Sequence, residues 1–108
     1  MKMIKSIIRP QKAESVLKAL SENGFPAATK INILGRGKEK GLKVGDIQYD
    51  EIPKDLIMIV VEDDHVDKVV KVIKESARSG KKGAFGDGKI FIIPVEKAIT
   101  ISSGEEVL

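Results

Sequence analysis

The spacing of hydrophobic residues changes several times along this chain, and each spacing predicts a different element. Residues 1–9 are rich in Met and Ile and stop before Pro10, which predicts a first strand. In the next segment apolar residues recur at i, i+3, i+4 and i+7, which is the period of an amphipathic helix, and Gly24 marks its end. The apolar stripe of this helix consists of Ala13, Val16, Leu17 and Leu20.

Two further strands are predicted in the middle of the chain. Thr29, Ile31 and Ile33 alternate with polar residues, and this second strand ends at Gly35. Residues 56–61 form a continuous apolar run bounded by charged residues, which is typical of a strand buried on both faces.

The last third of the chain repeats the helix–strand pattern. Asp63 or Asp64 can cap a second helix, and Gly80 closes it. Residues 90–93 predict a fourth strand, and residues 98–101 predict a short fifth one. The apolar stripe of the second helix consists of Val66, Val69, Val70, Ile73 and Ala77.

The predicted order is strand–helix–strand, a long connection, and strand–helix–strand again. This order is typical of the ferredoxin-like βαββαβ sandwich, an α+β fold, and the length of 108 residues predicts one domain. Both helices of such a fold pack on one face of the sheet. Because residues 56–61 lack polar alternation, the other face also needs a cover. For a chain this small the simplest cover is another copy of itself, so we expect a homo-oligomer.

Two glycine- and lysine-rich connections are the candidate functional segments. Residues 35–54 form a longer connection than is usual in a small domain, and residues 81–89 form another, each at a strand end. Exposed backbone amides with nearby cations suit anion binding. A glycine-rich turn explains the second loop as simply, and a solvated surface explains the cations of the first. Those cations are Arg36, Lys38, Lys40 and Lys43.

Two segments match known nucleotide-binding motifs only in part. Residues 83–89 have P-loop spacing as far as Lys89, but Ile90 stands where Ser or Thr is required, and the loop opens a strand rather than a helix. Gly35-Arg36-Gly37 lacks the third glycine of the dinucleotide fingerprint. We therefore reject both a P-loop and a Rossmann site.

Composition excludes several classes of function. A net charge of +3 and 4% aromatic residues disfavour nucleic-acid binding. With no cysteine and one histidine, His65, the chain offers no nucleophile–base set and poor equipment for a metal site, so we expect no enzyme. It has no apolar run of membrane-spanning length and no signal peptide, and we expect a cytoplasmic protein that is not inserted in a membrane.

Several of these segments together resemble the PII nitrogen-regulatory signal proteins. Residues 86–91, followed by Pro94-Val95, Thr100-Ile101 and Gly104-Glu105, resemble the C-terminal signature of that family. In the N-terminal half, Ile7-Ile8-Arg9-Pro10 resembles the first strand of the family. Residues 35–41 resemble the start of the long loop that the family calls the T-loop, and residues 52–54 resemble its end. In the family's terms, residues 1–108 are a single PII-like domain with a T-loop at 35–54, a B-loop at 80–88 and a C-terminal segment at 95–108.

The resemblance implies a ferredoxin-like homotrimer that senses nitrogen and energy status. It implies ATP or ADP between neighbouring subunits, 2-oxoglutarate bound with Mg-ATP near the T-loop, and a T-loop that docks on a target. Lys54 matches the lysine that pairs with a carboxylate of 2-oxoglutarate, Lys89 matches a phosphate-binding position, and Glu39 stands at the magnesium position. The full set of matching positions is Thr29, Gly35, Arg36, Gly37, Lys38, Glu39, Lys54, Val60, Gly86, Asp87, Gly88 and Lys89.

The chain departs from the family at several of these positions. Lys38 and Glu39 stand where arginine and glutamine are usual, and Thr100 and Ser102 replace two phosphate-binding arginines. The T-loop is shorter than usual, so Tyr49 is out of register with the tyrosine that some members have uridylylated. The departures leave an alternative open, a trimeric PII-like interaction module with weakened or lost effector binding.

The short T-loop and the opening Met1-Lys2-Met3-Ile4 resemble the branch that is encoded beside nitrogenase in archaea and some anaerobic bacteria. Members of that branch act in pairs of paralogues and inhibit nitrogenase until 2-oxoglutarate and ATP release it. The resemblance therefore implies nitrogenase as the target, with glutamine synthetase and an ammonium transporter as alternatives. It also leaves open whether a paralogue joins the trimer.

Overall fold

The structure, a computed structural model, describes residues 1–36, 42–44, 47–49 and 51–108, and for 42–44 and 47–49 it describes the backbone alone. Single turns of 3-10 helix at Pro10–Lys12 and Asp63–His65 lead into the two α-helices of this part of the chain. The elements in chain order are β1 (Lys2–Ile8), α1 (Ala13–Glu22), β2 (Thr29–Gly35), β3 (Leu42–Val44), β4 (Ile47–Tyr49), β5 (Ile52–Val61), α2 (Val66–Ala77) and β6 (Gly88–Pro94).

The main sheet has four strands in the order β2-β5-β1-β6, and every neighbouring pair is antiparallel. Central strand β1 pairs with β5 on one side and with β6 on the other, so that Ile4 lies opposite both Ile59 and Ile92. This order and the two helices confirm the α+β fold predicted from the sequence, and they are consistent with the ferredoxin-like sandwich.

The hydrophobic core lies between the two helices and one face of this sheet. The apolar stripes predicted for both helices face the core, since their members are buried or packed against it. Strands β1 and β5 contribute alternate residues, as expected where only one face of a strand is covered. The buried hydrophobic residues are Ile4, Ile8, Ala13, Val16, Leu20, Ile57, Ile59, Val61, Val69, Ile73 and Ala77.

The opposite face of the sheet is only partly covered within one chain. Leu56, Met58 and Val60 of β5 are half-buried, whereas the residues between them are buried. Within one chain only one face of β5 is buried, so burial of the other face by a second copy stays a prediction. Phe91 and Ile93 of β6 are 45% and 39% exposed. The apolar run of β5 places hydrophobic side chains on both faces, but the helices of one chain cover only one of them.

The start of α2 also differs from the prediction. Neither Asp63 nor Asp64 caps the helix with its side chain. Asp63 instead accepts a hydrogen bond from the amino group of Met1 at 2.6 Å and lies 3.5 Å from the Lys2 ammonium. This contact lowers the pKa of Asp63, mainly through the hydrogen bond from the terminal amine. The amino end of β1 lies beside Asp63 only in the folded chain, so the sequence pattern predicts a cap instead of this contact.

The predicted helix ends are close to the observed ones. Helix α1 ends at Glu22, and Gly24 adopts a φ of +91°, where a side chain would be strained. The amide of Phe25 then bonds the Leu20 carbonyl at 2.8 Å, which satisfies an end group of the helix. Helix α2 ends at Ala77, because Arg78 is already extended, before the predicted stop at Gly80.

Strand β5 begins at Ile52, four residues before the apolar run that predicted it. Its first residues pair with β2, with Gly35 opposite Ile52 and Ile33 opposite Lys54. Between these strands, residues 42–44 pair with residues 47–49 as a short antiparallel hairpin. The connection predicted from 35 to 54 is therefore shorter, and part of it is paired backbone. Residues 54 and 55 are charged, so the apolar pattern does not indicate that β5 begins before them. The strand forms there because its backbone pairs with β2.

The predicted fifth strand is not formed, because in the described residues the main sheet ends at β6 and residues 101–103 form a turn. The Thr100 amide bonds the Glu105 carbonyl at 2.9 Å, and the Gly104 amide bonds the Thr100 carbonyl at 2.7 Å. Ile99 and Ile101 are exposed rather than on a sheet face. No helix in the described part of the chain is long and apolar enough to cross a membrane.

We expect Ser6→Ala to raise the free energy of unfolding by about 1 kcal/mol, because burial of an unpaired hydroxyl costs about 1–3 kcal/mol in proteins. Ser6 on β1 is 0% exposed, and its hydroxyl has no hydrogen-bond partner among the described residues. Urea denaturation at one fixed protomer concentration measures the change.

Ser76→Ala is the matched control, since the Ser76 hydroxyl donates to the Val72 carbonyl at 2.7 Å. It is not expected to gain stability. A loss of stability in Ser6→Ala would show that the hydroxyl has a partner and would contradict the prediction.

Candidate functional site

Four strand ends meet at one edge of the main sheet, and the candidate site lies there. Ile8 at the end of β1 lies opposite Asp55 near the start of β5 and opposite Gly88 at the start of β6. Gly35, the end of β2, is paired with Ile52 at the start of β5. The antiparallel order therefore brings the two glycine-rich connections to the same edge, although they are far apart in the sequence.

Asp87 organises the loop between α2 and β6. Its Oδ2 atom accepts hydrogen bonds from the backbone amides of Ser79 at 3.0 Å and Ala84 at 2.8 Å. Its Oδ1 atom lies 3.0 Å from Nε of Arg9, which donates to it. One carboxylate thus joins the end of α2, the loop itself and the end of β1.

The pKa of Asp87 is held well below its ordinary value. Hydrogen bonds from Ser79 are the largest cause, and those from Ala84 and Arg9 add to them. Partial burial acts in the opposite direction but is outweighed. Asp87 is therefore a fixed anion that positions its neighbours, and its charge is already neutralised by Arg9.

Arg9 is a site residue to which the sequence assigned no role. Besides its contact with Asp87, its Nη2 atom donates to the Phe85 carbonyl at 2.6 Å. The available signal was an arginine at the end of β1, directly before Pro10. Its two partners lie more than seventy residues away in the sequence, so no local pattern identified them.

Lys54 connects β5 to the same loop. Its ammonium donates to the Gly86 carbonyl at 2.6 Å. Burial lowers the pKa of Lys54, and repulsion from Arg9 lowers it further, while Asp87 partly offsets both. An anion arriving beside Lys54 would relieve this repulsion, so the position favours a carboxylate or phosphate.

Two glycines allow the backbone to follow this path. A Cβ atom on Gly88 would lie 1.7 Å from the Ile7 carbonyl oxygen, and its φ of +118° also excludes a side chain. Gly86 has a φ of +89°, and a Cβ there would lie 3.2 Å from Nη2 of Arg9. Lys89 follows as an exposed cation opposite Ile7. Close-approaching backbone beside Lys54 and Lys89 can accept an anionic ligand.

The structure thus brings together Gly35, Lys54 and residues 86–89 of the predicted set. It does not bring Thr29 and Val60 to them within one chain. Thr29 lies opposite Met58, about 13 Å along β2 from the level of Lys54, and Val60 lies about 20 Å along β5 from it.

Four of the predicted residues directly follow Gly35 in the sequence, and only the first of them is described. Arg36 forms a loose ion pair with Glu51 at 3.9 Å. Gly37, Lys38 and Glu39, including the predicted magnesium position, lie outside the described residues. Within the described residues no cluster of three or more His, Cys, Asp or Glu side chains suits a metal ion.

Comparisons with known proteins identify the class to which this fold and site belong. The family model described as "Nitrogen regulatory protein P-II" matches residues 1–105. The chain therefore belongs to the PII family of nitrogen regulatory proteins, as its motifs predicted, and members of this family generally act as regulators rather than enzymes.

Its curated relatives are similar over their full length. The "Nitrogen fixation nifHD region GlnB-like protein 1" of Methanothermococcus thermolithotrophicus is 56% identical over 105 residues and covers 97% of both chains. The protein of that name from Methanothermobacter marburgensis is 56% identical over 108 residues and covers 100% of both. The "GlnB-like protein 2" of M. thermolithotrophicus is 42% identical, with 97% of this chain and 94% of that protein covered. The chain is thus a GlnB-like member similar to proteins of the nitrogen fixation region.

We expect Asp87→Asn to lower the free energy of unfolding by about 2 kcal/mol near neutral pH, because an amide cannot accept every hydrogen bond that the carboxylate accepts. The native pKa of Asp87 is depressed, so its contribution is present above the unfolded pKa of about 3.9 and is lost as pH falls below that value. The difference between wild type and Asp87→Asn should therefore narrow from about pH 7 to about pH 3 in urea denaturation.

Asp64→Asn, which changes an exposed carboxylate near α2, is the control and should change stability little at either pH. A difference between wild type and Asp87→Asn that stays constant over this range would show that the charge of Asp87 does not stabilise the loop.

Proposed function

We propose that this protein is a PII-type sensor that binds ATP or ADP and 2-oxoglutarate and regulates nitrogenase through its T-loop. The observation that carries the proposal is the hydrogen bond between Lys54 and the Gly86 carbonyl at the sheet edge where both glycine-rich connections begin or end. This bond links the base of the T-loop directly to the B-loop. A ligand that competes for it therefore acts on both loops at once.

Nucleotide phosphates fit the turn at residues 86–89. Glycines at 86 and 88 leave the backbone open to close approach, and Lys89 supplies an exposed positive charge. Magnesium bound with ATP would add a positive charge that can bind the carboxylate of 2-oxoglutarate. Glu39 would contribute to the magnesium site, as its position in the family pattern implies.

2-Oxoglutarate would bind by exchanging partners with Lys54. In the described state the Lys54 ammonium donates to an uncharged carbonyl and is repelled by Arg9. A carboxylate is a stronger acceptor for an ammonium than a carbonyl is. Exchange would release Gly86 and change the base of the T-loop, and the target would respond only to the difference in effector affinity between the two loop states.

A homotrimer is supported by the half-covered face of the sheet. The helices of the same chain do not cover this face. It carries the half-buried Leu56, Met58 and Val60 and the exposed Phe91 and Ile93. Packing of three copies would bury these side chains. A neighbouring copy would also supply Thr29 and Val60 to the nucleotide turn, which the single chain keeps apart from it.

We propose that this protein acts in the cytoplasm and that its target is nitrogenase. The relatives at 56% identity are named for the nifHD region of nitrogen fixation, and this favours nitrogenase over glutamine synthetase and ammonium transporters. A protein 1 and a protein 2 are named in the same organism, and this chain is more similar to the first. We therefore also propose that a protein 2-like paralogue cooperates with it.

The second candidate is a trimeric interaction module that no longer binds effectors. Two observations favour it: Lys54 already has a partner, and Thr100 and Ser102 replace arginines expected at the phosphates. Loss of two charge-assisted contacts would weaken ATP binding by about 1.5–3 kcal/mol each. Only ligand binding separates the two candidates.

Calorimetric titration with Mg-ATP, with and without 2-oxoglutarate, is expected to show binding of both ligands. Lys89→Ala should weaken ATP binding about tenfold or more, since it removes a contact to a charged phosphate. Lys54→Ala should weaken 2-oxoglutarate binding more than ATP binding.

Lys18→Ala, on the exposed side of α1, is the control and should leave both affinities unchanged. Light scattering should give the same mass for all variants. Wild-type protein that releases no heat at millimolar ligand would instead support the interaction module.

Deletion of residues 43–49, which include most of the β3–β4 hairpin, is expected to abolish binding to purified nitrogenase. Effector binding and the mass of the oligomer should persist, because the described residues among those deleted belong to a separate two-stranded sheet. Surface plasmon resonance with the immobilised enzyme provides the measurement. A deletion variant that still binds or inhibits nitrogenase would show that the T-loop is not the docking element.

A further inference from the structure

Phe85 is a large aromatic side chain displayed almost completely to solvent. It is 92% exposed, at the tip of the loop between α2 and β6. Leaving an aromatic ring in water is costly, and exposed aromatics are enriched where proteins bind one another. The ring has no role in the nucleotide site proposed above.

The loop holds the backbone of Phe85 in place without using its ring. Arg9 donates to the Phe85 carbonyl at 2.6 Å, and the residues on either side are tied to each other. The amide of Asp87 bonds the Ala84 carbonyl at 3.2 Å, while the Asp87 carboxylate bonds the Ala84 amide at 2.8 Å. A ring on a fixed backbone loses little conformational entropy when it enters a pocket, which favours tight binding.

The loop that carries the ring has an excess of positive charge in its sequence. Lys81 and Lys82 precede it in the same loop and are exposed. The nearest acidic residue in the sequence, Asp87, is neutralised by Arg9 at 3.0 Å. The loop therefore presents an exposed aromatic residue with two exposed cations three and four positions before it, and this combination complements an apolar pocket with an acidic rim.

The same loop is continuous with the proposed docking element. Lys54 at the base of the T-loop donates to the Gly86 carbonyl, one residue from Phe85. Phe85 is therefore next to the residue through which the B-loop is joined to the base of the T-loop.

We propose that Phe85 is a binding anchor for the protein target, inserting into an apolar pocket whose rim is acidic and pairs with Lys81 and Lys82. This inference rests on the proposed function, because it extends the T-loop surface that docks on nitrogenase. It assigns to the B-loop of this chain a role in target binding that is separate from effector binding.

Phe85→Ala tests the anchor, with purified nitrogenase as the probe and surface plasmon resonance as the measurement. The variant is expected to weaken binding about tenfold or more, as truncation of an anchor residue does. ATP and 2-oxoglutarate affinities and the oligomer mass should be unchanged, because Phe85 is held by its backbone carbonyl and not by its ring. Leu108→Ala, which truncates a side chain that is 57% exposed in the terminal segment, is the matched control and should bind like wild type.

Charge reversal tests the rim. Lys81→Glu with Lys82→Glu should weaken binding at low salt by about tenfold, mainly through slower association, and the effect should shrink as salt is raised. Lys18→Glu with Lys71→Glu changes the net charge by the same amount at exposed positions on α1 and α2. The proposal requires this control pair to have a clearly smaller effect.

Each other outcome overturns the anchor. Unchanged nitrogenase binding in Phe85→Ala removes it while leaving the sensor intact. Weaker ATP binding in that variant would show that the Phe85 ring contributes to the nucleotide site, for example by stacking on adenine. An altered oligomer mass would show that the ring lies between subunits. Wild-type protein that binds effectors but not nitrogenase would refute the proposed target, and the anchor with it.

Discussion

The Asp87 carboxylate is the group on which the candidate site depends. It accepts hydrogen bonds from Ser79, Ala84 and Arg9, and these three residues belong to the end of α2, the following loop and the end of β1. Glycine is required nearby, since a Cβ on Gly83 would lie 3.1 Å from Oδ2 of Asp87. A buried or half-buried anion is stable only when its acceptor positions are filled, and here filling them gives the loop a defined shape. The other features of the site follow from that shape.

The order of the strands gives this loop its functional neighbours. Because β1 lies between β5 and β6, the end of β1 meets the starts of both other strands at one edge of the sheet. Lys54 can then reach the Gly86 carbonyl, and Arg9 can reach Asp87. A bond between two loops at a shared edge is a simple way to couple them, since a competing ligand changes the surroundings of both.

The two faces of the sheet have different roles in this arrangement. One face, with the helices, provides the core that fixes the strand ends. The other carries half-buried aliphatic residues of β5 and exposed residues of β6, and it accounts for the apolar run that the helices alone do not require. One face therefore stabilises the single chain, and the other is available for the packing between copies that we propose.

The sequence alone determined the architecture, because the period of apolar residues is a local property. The stripe of α1 at Ala13, Val16 and Leu20, the pattern of two strand–helix–strand halves, and the glycines before β6 were all visible in it. It also determined the family, through motifs spread over most of the chain. The sequence did not indicate the start of β5 at Ile52, because that part of the strand contains charged residues and is paired through its backbone. It also predicted a strand at 98–101, which does not pair with the main sheet.

Only the tertiary structure decided which of these residues act together. Arg9 is joined to Asp87 and Phe85, and Lys54 to Gly86, by contacts between residues that are distant in sequence, so no periodicity or spacing reports them. The same holds for Asp63, which binds the amino terminus of the chain instead of capping α2. Hydrogen bonds act over about 3 Å in space, and only the folded chain determines which donors and acceptors come within that distance.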